Sequence, residues 1–224
     1  MTHHKKQHLI IRFYSKVGAP EITFFISLIA LFFIPFIFET EKNIVDPLLW
    51  SLYIFSLQYF IHSFQKRYQK ALFLLITIIL ICIWIHFFIS IFPSYLFGIF
   101  KIILMIISFY FVSYSLLINK SVDFNTLIAG ISGYILIGIS MGILVFILES
   151  ASPQSFSFTN ENSYDAFYYS FVTMSTLGYG DILPLTKSAK GLSVIITLIG
   201  QFYMAIVLGL IIGKMIAPKE KANE

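Results

Sequence analysis

The sequence predicts an all-α integral membrane protein: six transmembrane helices, with a short re-entrant helix and an irregular loop between the fifth and the sixth. Three observations carry this expectation. The 224 residues are 58% hydrophobic and only 12% charged, with mean hydropathy +0.87, a balance that cannot be arranged as a water-soluble globule. Apolar runs of the length of one bilayer crossing, about 20 residues, recur six times. Between the last two runs stands "TMSTLGYGD", Thr173 to Asp181, whose glycines and hydroxyls are costly in hydrocarbon unless something encloses them.

The elements follow in order. Residues 1–21 form a basic N-terminal segment ahead of helix 1, Ile22 to Phe38. No small-residue cleavage site follows it, so helix 1 is read as uncleaved. Helix 2, Leu48 to Phe64, is the weakest, because Ser51, Ser56, Gln58 and His62 interrupt it; a helix lying at the membrane interface is the alternative. Helix 3, Ala71 to Phe92, holds Cys82, and a lone cysteine excludes a disulfide within the chain. Helix 4, Tyr95 to Ile118, completes a four-helix unit over 22–118, and "NKSVDFN", 119–125, links it to the remainder.

Helix 5, Thr126 to Leu148, leads into a Ser- and Asn-rich stretch, Glu149 to Ser163, read as a mobile outer loop. The apolar segment from Tyr164 to Thr176 has only about a dozen residues, too few to cross the bilayer. It must enter and leave on one side, which makes it a half-helix. Helix 6, Gly191 to Ile216, closes a pore unit over 126–216, and 217–224 form a short tail. With so short a tail, gating by a cytoplasmic nucleotide- or calcium-binding domain is not expected.

Lys and Arg set the orientation, since they favour cytoplasmic loops. With both termini inside, eleven of them, from Lys5 to Lys221, fall on the cytoplasmic side and three, Lys42, Lys187 and Lys190, on the outer side. The net charge of +4 is therefore a topology signal, and no nucleic-acid partner is expected. The five histidines are scattered, with neither metal spacing nor a nucleophile–base arrangement, so neither an enzyme nor a cofactor is expected.

Non-helical backbone at membrane depth persists only where it is buried in protein or lines an aqueous cavity. Gly178 and Gly180 allow the positive φ angles that let successive carbonyls turn toward one axis. The carbonyls of Thr176, Leu177, Gly178 and Tyr179, with the Thr176 hydroxyl, then stand where a cation's water shell would be. One chain supplies one such loop, so a ring requires several copies.

These residues resemble the pore signature of the tetrameric potassium channels, T-x-x-T-x-G-Y-G-D, in a six-helix subunit of bacterial type. Thr173, Thr176, Gly178, Tyr179, Gly180 and Asp181 match, while Leu177 stands in place of the commoner valine. The resemblance implies a homotetramer in the cell membrane, passive K+ conduction, and a selectivity filter over 176–181 that binds K+ through Thr176, Leu177, Gly178, Tyr179 and Gly180. It implies filter support from Thr173, Asp181 and an aromatic cuff of Tyr168 and Tyr169, with Tyr168 bonded to Asp181; interfacial aromatics are the plain alternative. Val172 stands where some relatives carry a glutamate. Gly200, twenty residues after Gly180, is the implied hinge of the inner helix, close helix packing being the alternative. A weakly selective cation channel and a non-conducting regulatory subunit stay open as other functions.

The four leading helices match a voltage sensor in number only. Helix 4 carries Lys101 alone, expected to snorkel to the headgroups, and no Asp or Glu lies between Pro47 and Phe92. If Pro93 marks the outer turn, His86 and Lys101 share a depth. They are candidate sensors of outside acid through a neutral imidazole, a buried histidine bonded to backbone being the plainer alternative.

Overall fold

The structure, a computed structural model, describes residues 19–37, 45–63, 69–89, 94–118, 122–158 and 163–216. Residues 1–18 of the basic N-terminal segment, the Pro93 turn, residues 119–121 of the link and the tail lie outside the described residues. Seven helices carry the described chain: α1 Ala19–Ile37, α2 Val45–His62, α3 Gln69–Ile89, α4 Ser94–Ile118, α5 Phe124–Ala151, α6 Ser163–Met174 and α7 Lys187–Ile216. Among the described residues, four stretches are long and apolar enough to cross a membrane: Lys70–Ile89, Gly98–Ile118, Phe124–Ala151 and Lys187–Ile216. Against six expected spans, α1 contributes only a shorter apolar stretch, Pro20–Pro35, and α2 is too polar by composition.

Caps set helix ends that hydropathy missed. The Asp123 carboxylate accepts from Thr126 N at 2.9 Å and from Thr126 Oγ1 at 2.7 Å, so α5 starts at Phe124, inside the expected link. Thr186 Oγ1 accepts from Ala189 N at 3.2 Å, which starts α7 at Lys187, one turn before Gly191. Polar cap residues sit outside an apolar run yet satisfy its orphan N–H groups.

At the centre lies α5, packed against α1, α4, α6 and α7, while α2 packs against α1 and α3. One hydrophobic core runs through α1 to α5, and Phe167 and Phe171 of α6 pack against it. The 119–125 link is therefore no packing boundary. The polar residues that interrupt α2 bond to its neighbours: Ser56 to Ser27 of α1, Tyr53 to Ser108 of α4, Ser51 to Trp84 Nε1 of α3 at 3.0 Å, and Gln58 to Thr77 of α3 at 3.1 Å. Leu49, Trp50, Tyr53, Leu57 and Phe60 of α2 are buried. Burial of one face and hydrogen bonds between helices hold α2 in the bundle.

Glycines on α5 make notches for aromatic rings. A Cβ on Gly138 would lie 2.3 Å from Phe171 Cζ, and one on Gly142 would lie 2.3 Å from Phe167 Cδ1. Small residues let neighbouring membrane helices approach this closely. Gly138→Ala is expected to cost about 1–3 kcal/mol by overpacking and to lower the thermal unfolding midpoint of the detergent-purified protein. A midpoint equal to wild type would show that the ring does not depend on the notch.

Candidate ion pathway

The half-helix α6 ends in a tight backbone motif. Thr176 N donates to Thr173 O at 3.0 Å, and Leu177 N and Gly178 N both donate to Val172 O, at 3.0 and 3.2 Å. With Thr176 at φ 62°, this is a Schellman-type helix end whose left-handed position, usually glycine, is a β-branched residue. Such a conformation costs about 1–3 kcal/mol and persists only when its surroundings over-determine it.

Beyond that turn the handedness alternates. Gly178 has φ 54° and Gly180 φ 78°, while Leu177 and Tyr179 keep negative φ. A Cβ on either glycine would meet nothing within 4 Å, so in the single chain it is backbone conformation and not space that calls for glycine. Among the described residues no group donates a hydrogen bond to the carbonyls of Thr176 through Gly180. The side chains of Leu177 and Tyr179 are largely exposed on the single chain, at 54% and 68%. Free carbonyls in succession are what a desolvated cation requires.

The supporting residues meet this loop from several directions. Tyr168 Oη donates to Asp181 Oδ2 at 2.7 Å, and the other carboxylate oxygen accepts Ile182 N at 3.0 Å. The Tyr168 bond, aided by backbone N–H groups, holds the Asp181 carboxyl below its ordinary range and pushes the Tyr168 hydroxyl up to about 12. Burial, then the charge of Asp181, raises the carboxyl of Asp165 in the first turn of α6. Tyr169 turns away from its neighbour: it is buried, bonds Ser193 of α7, and meets the Phe156 ring edge-on at 5.0 Å.

Gly200 lies inside the unbroken helix α7, and a Cβ there would lie 2.3 Å from Met174 Cγ and 2.7 Å from Met174 O. Close approach of α7 to the end of α6 is thus sufficient reason for glycine at this position. Lys101 and His86 belong to the helical bundle, on α4 and α3. The Lys101 ammonium is 3.4 Å from Asp46 Oδ2 and 4.7 Å from the centre of the Trp50 ring. The expectation of an acid-free second helix is thereby corrected: α2 starts at Val45, which brings Asp46 into its first turn, where the helix dipole favours a carboxylate. Lys101 reaches that partner.

The stretch after α5 is also corrected. Ser152 to Phe158 is pinned, because Ser157 N donates to Leu183 O at 2.9 Å, Leu185 N to Ser155 O at 2.8 Å, and Leu183 N to Ser157 Oγ at 2.7 Å. Glu149 ties the same stretch back to α5 by accepting Gln154 N at 2.8 Å and Phe156 N at 2.9 Å. The alternation in "SFSF", Ser155 to Phe158, was the available signal, since period two marks an extended segment with one buried face. Ser170, bonded to Gly138 O at 2.8 Å, gave no sequence signal.

Residues 130–217 match the family model described as ion channel. The two-pore potassium channel 4 of Arabidopsis thaliana is 33% identical over 89 residues, which are 39% of this chain and 30% of that protein. The inward rectifier potassium channel Kirbac3.1 of Paramagnetospirillum magnetotacticum is 33% identical over 72 residues, 32% of this chain and 22% of that protein. The chain spans less than a third of the length of either curated relative. No solved structure matches it. Four long apolar helices and an ion-channel domain make this a membrane protein. Its similarity is to potassium channels, not to enzymes.

The lowered Asp181 carboxyl makes a test with a definite sign. A depressed folded value means that the Tyr168–Asp181 bond stabilises at neutral pH and that this contribution is lost as pH falls through that value. Tyr168→Phe should return Asp181 upward, so that protonation begins at higher pH. Carbon-13 carboxyl titration of the purified protein reads the shift; an unmoved titration would mean that the bond does not set the charge.

Proposed function

We propose that the chain is a subunit of a homotetrameric potassium channel that conducts K+ passively across the cell membrane. The observation that carries this reading is the run of unpartnered carbonyls from Thr176 to Gly180 on a backbone of alternating handedness. The matched ion-channel domain and the potassium channels among the relatives support it. In this reading α6 is a re-entrant pore helix, α7 lines the pore, and α1 and α2 cross the membrane with the other helices, leaving both termini cytoplasmic. Fourfold repetition closes carbonyls of residues 176–180 around one axis, where they replace the water shell of K+; neighbouring ions repel one another and keep the queue moving. Tyr168, Tyr169, Thr173 and Asp181 hold the loop in place.

Purified protein in liposomes tests this directly. Wild type should pass K+ and exclude Na+, and Gly178→Ala should lose that selectivity, because each of four copies would force a Cβ into the left-handed region at roughly 1–2 kcal/mol. Flux without discrimination in wild type would favour the weakly selective channel, and no flux from the chain alone the regulatory subunit.

The proposed channel is insensitive to voltage. Steep gating uses three to four charges per subunit, whereas four copies of Lys101 crossing the whole field would supply only about 9 kcal/mol per 100 mV. The Asp46 contact makes such a journey less favourable still. In symmetric K+ the conductance–voltage relation should be shallow and unchanged in Lys101→Gln; a steep sigmoid abolished by that substitution would make Lys101 a gating charge.

A further inference from the structure

Below Gly200, α7 is fastened to α5 and α4 at two separate points. Tyr203 Oη donates to Gly130 O of α5 at 2.8 Å, and its ring fills a notch that Gly133 leaves open, where a Cβ would lie 2.9 Å from Tyr203 Cζ. Phe109 of α4 meets the same ring at 6.2 Å. Three turns further, Lys214 Nζ donates to the carbonyl oxygen of Leu116 in the last turn of α4. The last four carbonyls of a helix lack intrahelical donors, and a cation there is favoured by the dipole. No basic residue stands in the last turn of α4 itself, so Lys214 supplies the capping charge from another helix.

The fastened stripe, Gly200, Tyr203, Val207 and Lys214, follows helical spacing along one side of α7. A neighbouring side, Phe202, Ile206, Gly209 and Gly213, is exposed on the single chain, and nothing lies within 4 Å of a Cβ built on either of its glycines. That side can move only if the fastened one lets go.

We propose that Tyr203 and Lys214 form a two-point latch that holds the cytoplasmic half of α7 outward against α5 and α4, and that the latched form is the conducting one. The inference rests on reading α7 as the pore-lining helix. With the latch closed, the end of α7 is drawn toward the outer layer of its own subunit; with it open, the exposed side is free to close on the pore axis. Because Lys214 grips the end of α4, a displacement of α4 pulls directly on α7, and the four leading helices gain an input to the pore that requires no gating charge.

Single-channel recording of the full-length protein in planar bilayers tests the latch. Lys214→Met should lower the opening equilibrium constant by about tenfold per subunit, the worth of one charged hydrogen bond, and Tyr203→Phe by roughly fivefold per subunit. Lys214→Arg, which keeps a cationic donor, should restore opening, with unit conductance and K+ over Na+ selectivity unchanged throughout. Wild-type opening in both loss variants, or loss of selectivity together with opening, would overturn the proposal. Hydrogen exchange on the same proteins reads the tie even if no current flows: residues 207–216 should exchange faster in Lys214→Met, and equal rates would remove the latch. Silence of the wild type with faster exchange in the variant would instead place the failure in the pore reading.

Discussion

Seating of the short helix α6 on α5 is the contact on which the rest of the segment from α5 to α7 depends. Phe167 and Phe171 enter spaces left by Gly142 and Gly138, Ser170 bonds the Gly138 carbonyl, and Met174 meets Gly200 of α7 from the other side. These contacts fix both the depth and the rotation of a helix of 12 residues that would be marginal alone. Its end then determines where the irregular loop emerges. Since Val172 O takes two N–H groups of that loop, the turn at Thr176 is set by the helix that precedes it.

The loop is anchored as firmly on its far side. Asp181 is held by Tyr168, and Leu183 and Leu185 pair with the stretch that Glu149 ties to the end of α5. Holding several residues with positive φ is costly, and conformational entropy would release them from a free loop. With both flanks bonded, the N–H groups of Thr176, Leu177 and Gly178 are engaged at the end of α6, while among the described residues the carbonyls of residues 176–180 accept no hydrogen bond.

Within the bundle the polar groups look inward. Ser27, Ser56, Tyr53 and Ser108 join α1, α2 and α4, and Lys101 finds Asp46 and the Trp50 ring. These bonds tie the leading helices to one another, and the continuity of their core with α5 means that any movement within them reaches α5 through packing.

Seven helical segments in order, the shortness of α6 and the irregular loop after it were all legible in the sequence, because bilayer thickness and backbone polarity act on local composition alone. The glycines at 178 and 180 were legible for the same reason: a conformational requirement belongs to a single residue. What the sequence could not decide depends on pairs of distant residues. The polarity of α2 read as weakness because Ser27, Thr77, Trp84 and Ser108 lie elsewhere in the chain, and the mobile reading of Ser152 to Phe158 failed because its partners, Leu183 and Leu185, follow about thirty residues later. Gly200 could be read by position as a hinge, but only packing brings Met174 against it. Periodicity and propensity report what one segment can do by itself. Which polar atom meets which, and which glycine faces a close neighbour, is decided when the helices pack, since that is where desolvated groups must find their partners.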